Sequence, residues 1–277
     1  MSLRSSRALG ALALGLTLLG VSAASAGHRD QQAQTAPPPM VPKLVAGYLK
    51  AGTAPDSLVI VPPPPAEGSA ALARDVEASQ AGLKLHGTAR WDLATTDADL
   101  FSPRAVDTFS CAAGIAIGAE ETPRLNQLMR RSLTDLALST GASKRKYMRP
   151  RPFTVNKQAI CTPADEAVLR GDGSYPSGHS AIGYGWGLIL AEVLPDRAAQ
   201  LVARGRAFAD SRRVCNVHWL SDTEEGRVMG SAIVARLHAD PAFTADLEAA
   251  KAEARAAAAA GKGPTRDCAK EAAALAL

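Results

Sequence analysis

Aromatic residues are scarce, at 4% of the 277-residue chain, and Val/Ile/Tyr runs of strand type are scarcer still. After residue 26 no apolar stretch reaches the ~20 residues that a membrane-spanning helix needs, so an integral membrane protein with several spans is excluded. No two of Cys111, Cys161, Cys215 and Cys268 stand at CxxC spacing, which argues against a structural zinc site. No internal repeat of fixed period is visible. What is abundant is Ala, a large share of the 47% hydrophobic residues, and Ala favours helix over strand. With 21% charged residues and a formal charge of +4, low-complexity disorder and collagen-like structure are excluded for the bulk. A single all-α domain is expected.

The surplus charge does not belong to the whole chain. Residues 1–26 carry Arg4 and Arg7, an apolar stretch from Ala8 to Val21 and the small-residue end Ala24-Ser25-Ala26, the pattern of a removed secretory signal. A periplasmic or secreted protein follows, in a compartment where the four cysteines can oxidise. Four cysteines allow three pairings, and spacing does not choose among them. Removal of the signal takes away two arginines and no acids, leaving +2, so the overall argument for a nucleic-acid partner fades.

Residues 27–66 read as a Pro-rich surface leader, with Pro37-Pro38-Pro39 and Pro62-Pro63-Pro64-Pro65 favouring extended conformation. Residues 67–248 read as the helical domain. Apolar residues at three- and four-residue spacing predict helices over Ser69 to Leu83, Ala105 to Ile117, Pro123 to Leu138, Ser180 to Leu194, Asp196 to Asp210, Asp222 to His238 and Phe243 to Ala259. Residues 249–277 form an Ala-rich tail, a peripheral helix fraying near Gly261-Lys262-Gly263-Pro264; that run lacks the first Gly and the Ser/Thr of a P-loop.

Three segments carry chemistry. The first crowds Lys144, Arg145, Lys146, Arg149 and Arg151 ahead of Pro152-Phe153, which alone is ordinary for a solvated face. The second, Gly173-Ser174-Tyr175-Pro176-Ser177-Gly178-His179-Ser180, precedes an apolar helical run, so it aims free N–H groups and a positive dipole end outward, a setting for phosphate. The third runs from Ser211-Arg212 to His218 and Asp222; four residues apart on one helical turn, the carboxylate can fix one imidazole nitrogen and free the other as base or nucleophile.

Taken together, Lys144 with Arg151-Pro152, then Pro176-Ser177-Gly178-His179, then Ser211-Arg212 with His218 and Asp222 resemble the tripartite signature of the type-2 phosphatidic acid phosphatase and vanadium haloperoxidase superfamily. The 23 residues between Pro152 and Pro176 and the 31 between His179 and Ser211 suit it. The surroundings, from Asp56 through Tyr147-Met148-Arg149-Pro150-Arg151-Pro152-Phe153 to Pro241-Ala242-Phe243, are similar to those of bacterial class A non-specific acid phosphatases. One departure is Ser180, where that class has Thr. The Ala-rich extension and Cys268 lie outside the resemblance.

The resemblance implies a helical-bundle phosphatase acting on phosphate monoesters of broad specificity, with phosphoryl transfer to alcohols as a side reaction. It assigns catalysis to His218, His179 and Asp222 and phosphate binding to Lys144, Arg151, Ser177, Gly178 and Arg212, with phosphate or vanadate as the anion and with no metal or other cofactor. It requires the environments of the two histidines to separate their pKa values, since His179 must start protonated and His218 neutral. Cys161 and Cys215 match a pair in related sequences, which leaves Cys111 for Cys268. A homodimer is carried by the resemblance alone. The competing readings are a vanadium-dependent haloperoxidase, for which the chain is short, and a non-catalytic phosphate-binding protein, against which both histidines speak.

Overall fold

The computed structural model describes residues 44–276, so the signal expected over residues 1–26 and residues 27–43 of the leader lie outside the described residues. In chain order the helices are α1 (Ser57–Ile60), α2 (Ala70–Leu83), α3 (Ala89–Asp97), α4 (Ser110–Ala113), α5 (Pro123–Leu138), α6 (Gly141–Tyr147), α7 (Pro152–Asn156), α8 (Glu166–Arg170), α9 (Gly178–Val193), α10 (Ala198–Val214), α11 (Leu220–Leu237), α12 (Pro241–Ala259) and α13 (Cys268–Leu275). Among the described residues there is no strand, and the fold is all-α.

Helix α9 is the central element, flanked by α10, α11, α5 and α12. Its Ile182, Trp186, Ile189, Leu190 and Val193 are buried, and α5 answers with Leu125, Leu128, Met129, Leu133 and Leu136 at helical spacing. The few aromatics are concentrated here: Phe109, Trp186 and Phe208 hold their ring centroids 6.0–6.3 Å apart, and the Trp186 indole N–H donates to Met129 O at 2.9 Å. Small residues let the helix backbones touch. A Cβ on Gly187 of α9 would lie 3.0 Å from Gly205 Cα of α10, and one on Gly226 of α11 would lie 2.5 Å from Ser177 O at the start of α9.

Several helix bounds differ from the sequence expectation. The span Ala105 to Ile117 is a short 3₁₀ turn, Ala105–Phe109, followed by α4, because Gly114 takes a left-handed conformation (φ 74°) and ends the helix. Helix α10 continues past Asp210 to Val214 and so carries Ser211 and Arg212. The tail is two helices, broken after Ala259 where Gly261 has φ 68°.

Both disulfides join the expected partners, Cys161–Cys215 and Cys111–Cys268. The second ties α13 to the body, and beside it runs a buried chain of charges. Glu271 Oε1 accepts from Arg204 Nε at 3.1 Å, Arg204 Nη2 donates to Asp97 Oδ1 at 2.5 Å, and Ser211 Oγ donates to Asp97 Oδ2 at 2.6 Å. The described part of the leader lies on the same body: Tyr48 is buried edge-on to Phe243, with its N–H on Asp135 Oδ2 at 2.8 Å.

Candidate active site

Helix α6 stops where Met148 adopts a left-handed conformation (φ 41°), and the chain leaves it as Arg149-Pro150-Arg151-Pro152. Each proline disfavours helix at the residue before it, and Arg151 is extended (φ −77°, ψ 152°) ahead of α7. Two arginines two residues apart therefore reach into the protein together. Arg151 is 2% exposed; its Nη1 lies 3.0 Å from His218 Nε2 and donates to Val217 O at 3.0 Å, and its Nε donates to Leu169 O at 3.0 Å. Asp172 Oδ2 bridges the cations of this segment, 2.9 Å from Arg151 Nη2 and 2.8 Å from Lys144 Nζ.

In the second segment Ser177 caps α9, accepting from Ser180 N at 3.2 Å, and Ser180 Oγ is 2.9 Å from Ser177 Oγ. A hydroxyl at 180 thus suffices for this contact. The Ser177 N–H donates to Asp222 O at 2.9 Å, which locks the start of α9 to the start of α11. His179 Nε2 sits 3.1 Å from Ala98 O. A carbonyl only accepts, so Nε2 carries the proton and Nδ1 is the nitrogen free for exchange.

In the third segment Arg212 ends α10 at 2% exposure, with neither Nε nor Nη1 hydrogen-bonded to any protein atom. The chain then turns through Asn216 (φ 61°), whose O accepts from Phe153 N at 3.2 Å, and Val217 and His218 N–H fold back on Arg212 O. His218 precedes α11 rather than lying on it, a difference from the shared helical turn expected of the pair. Asp222, in the first turn, reaches back instead: its Oδ2 is 3.2 Å from His218 Nδ1 and accepts from Trp219 N at 2.9 Å. The carboxylate fixes the proton on Nδ1 and leaves the Nε2 lone pair facing Arg151.

The three segments converge on His218. Burial first, then Arg151, Lys144 and Arg212, hold its pKa well below the ordinary 6.5. His179 is also held well below 6.5, by burial and then by Arg212, although it is partly exposed. The two histidines are thus shifted in the same direction, with Arg151 and Arg212 acting on both. Burial and Arg151 bring Lys144 down to about 8 and Arg212 to about 10. Burial pushes the Asp222 carboxyl above its usual range, opposed chiefly by Arg149.

Lys144, Arg151, Arg212, His179, His218 and Asp222 lie in this cluster, whereas Arg145 and Lys146 of the first segment and His86 are exposed and His238 caps the end of α11. Asp75, Arg149, Asp172 and Ala98 also belong to it and were not singled out for the site. Only Arg149 left a trace in the sequence, as the first arginine of the Arg-Pro-Arg-Pro run. Among the described residues no group of three His, Cys, Asp or Glu side chains could hold a metal, and no helix is long and apolar enough to cross a membrane.

An all-helical body with three inward cations around a carboxylate-held histidine is a phosphate-handling architecture, and comparison with known proteins gives its family. Residues 132–243 match the PAP2 superfamily. The acid phosphatase of Zymomonas mobilis is 41% identical over 198 residues, 72% of this chain and 75% of that protein. The non-specific acid phosphatase of Providencia stuartii is 39% identical over 74% of this chain and 84% of its own length, and that of Salmonella typhimurium 37% over 77% and 89%. The chain belongs to the PAP2 superfamily, among its bacterial acid phosphatases.

Proposed function

We propose that this acid phosphatase hydrolyses phosphate monoesters of broad specificity outside the cytoplasm, by forming and hydrolysing a phosphohistidine on His218. The observation that carries the reading is Arg212, a buried guanidinium with two nitrogens lacking any protein acceptor, beside Lys144, Arg151 and the His218 Nε2 lone pair. An unpartnered buried cation is costly, and an oxyanion relieves it.

In the first step His218 Nε2 attacks phosphorus in line, the ester P–O bond breaks, and His179 Nδ1 gives its proton to the leaving oxygen. Lys144, Arg151 and Arg212, with Ser177 and the Gly178 N–H at the head of α9, hold the equatorial oxygens. The Arg151 N–H now directed at the lone pair is the donor that a phosphoryl oxygen takes over. In the second step water attacks phosphorus, His179 Nδ1 takes its proton, and the P–N pair returns to His218. Low intrinsic basicity keeps His218 neutral in acid. The charge of the bound phosphoryl group, next to His179, opposes the cations and raises its pKa toward the protonated form the first step needs.

Because cations supply the electrostatics, catalysis in EDTA is part of the reading, as is transfer of the phosphoryl group to an added alcohol. The test is p-nitrophenyl phosphate hydrolysis in EDTA by wild type and His218→Ala, with and without vanadate, combined with acid- and base-stability of any trapped phosphoenzyme. The expected results are vanadate inhibition, no turnover by the variant and an acid-labile, base-stable phosphoenzyme. Undiminished turnover by His218→Ala overturns the mechanism.

A further inference from the structure

We infer that Asp75 and Arg149 form a buried relay behind Asp222, in which Arg149 is a positioning residue that keeps the Asp222 carboxylate charged and turned to His218. The inference rests on the reading of His218 as nucleophile.

Arg149 is clamped between two carboxylates from different helices, Asp222 of α11 at 0% exposure and Asp75 of α2 at 1%. Arg149 Nη1 donates to Asp222 Oδ1 at 2.6 Å and to Ser221 Oγ at 2.8 Å, while Nη2 donates to Asp75 Oδ2 at 2.6 Å. Asp75 in turn receives the Ser221 N–H at 2.7 Å on Oδ1 and the Ser221 hydroxyl at 2.6 Å on Oδ2. The two oxygens of Asp222 are thus divided: Oδ2 serves His218 Nδ1 and Trp219 N, and Oδ1 serves Arg149.

Such an arrangement is poorly explained as a stability device. A buried ion pair recovers little beyond its desolvation cost, and apolar residues of similar volume often do as well. It is well explained by the charge change at His218. When the Nε2–P bond forms and the ester P–O bond breaks, Nδ1 keeps its proton and the ring becomes cationic. A neutral Asp222 would not balance that charge. The charged groups facing Asp222 are Arg149 and Arg151 from the segment after α6, Lys144 on α6, and, behind Arg149, Asp75 on α2; His218 faces it from its own segment. Burial works against ionisation, and Arg149 is the foremost group opposing it.

Arg149→Gln, Arg149→Lys and Asp75→Asn are to be compared with wild type and His218→Ala in kcat and KM against pH, folding being monitored by circular dichroism. Arg149→Gln should lower kcat about 10- to 100-fold, the usual range for losing a residue that orients a catalytic group, with KM changed by less than about threefold. Its acidic limb should move up by about one pH unit, since burial of Asp222 then loses its chief opponent. Arg149→Lys should recover part of the rate. Asp75→Asn should move the acidic limb down, because Arg149 then serves one carboxylate instead of two.

A profile that is merely scaled in Arg149→Gln, a lysine no better than glutamine, or an Asp75→Asn shift in the same direction as Arg149→Gln would overturn the relay. If Arg149→Gln does not fold, the lysine and Asp75→Asn profiles decide. Turnover surviving His218→Ala would count against the nucleophile reading; an inactive His218→Ala with unshifted limbs in the other variants would count against the relay alone.

Discussion

The imidazole of His179 is held by the main chain of Ala98, with Nε2 donating to the carbonyl at 3.1 Å. A backbone acceptor cannot be removed by substitution and does not titrate, so it fixes which nitrogen exchanges the proton. His179→Ala should therefore lose general acid catalysis, by about 10²- to 10⁴-fold. The loss should be steeper for alkyl phosphates than for p-nitrophenyl phosphate, whose leaving group needs little protonation. Equal losses for both substrates in the phosphorylation step, measured in single-turnover experiments, would contradict this role.

Lys144 predicts a pH dependence of anion binding. Its ammonium is brought down to about 8 by burial and Arg151. A lysine loses its charge as pH rises through its pKa, so affinity is full below that value and declines above it. Inhibition by molybdate, whose own charge does not change in this range, should weaken as pH passes about 8. Lys144→Arg should carry the decline to higher pH, and inhibition independent of pH in the wild type would exclude Lys144 from the anion site.

Arg212 predicts a coupling between anion and stability. With Nε and Nη1 lacking protein acceptors, its guanidinium is the group an oxyanion satisfies most directly. Phosphate should raise the melting temperature of the wild type, by the mass-action effect of a ligand that binds only the folded state. Arg212→Gln should weaken phosphate about 10- to 100-fold, the equivalent of one or two charge-assisted hydrogen bonds. Calorimetry with and without phosphate checks it; an unchanged dissociation constant would refute it.

The two disulfides should separate in their effects. Cys161–Cys215 closes 54 residues and links the stretch before Leu169 and Asp172, whose carbonyls accept from Arg151, to the turn that carries His218. Cys111–Cys268 closes 157 residues and holds α13. On loop entropy each contributes about 4 to 5 kcal/mol. The Cys161→Ser/Cys215→Ser variant should lose kcat as well as stability, and Cys111→Ser/Cys268→Ser mainly stability. Thermal melts and kinetics on both variants distinguish the cases.

How far the sequence carried differs between particular residues. His218, His179, Asp222, Lys144, Arg151 and Arg212 were legible because residue types at fixed spacing mark them, and the strongly periodic α5 was legible to its ends. The helix α3 was not, since Arg90, Asp92 and Asp97 interrupt its apolar face; two of them, Arg90 and Asp97, are buried against α10 instead. Asp75 was invisible for a related reason. A lone carboxylate on an amphipathic helix reads as solvent-facing, and only the tertiary packing of α2 on α11 brings it to Arg149. That both histidines share Arg151 and Arg212 was not legible, because sequence shows which cations are present but not where they converge.

The contact of Gly226 with Ser177 O sets a boundary on how this enzyme can change. The turn of Ser177 and helix α11 meet almost main chain to main chain, the Cβ of Ser180 being the nearest side-chain atom. A methyl group at position 226 would lie 2.5 Å from Ser177 O, so the junction held by the Ser177–Asp222 hydrogen bond would have to shift. Divergence between relatives of this enzyme is therefore expected away from this junction, at positions where side chains rather than main chain set the spacing.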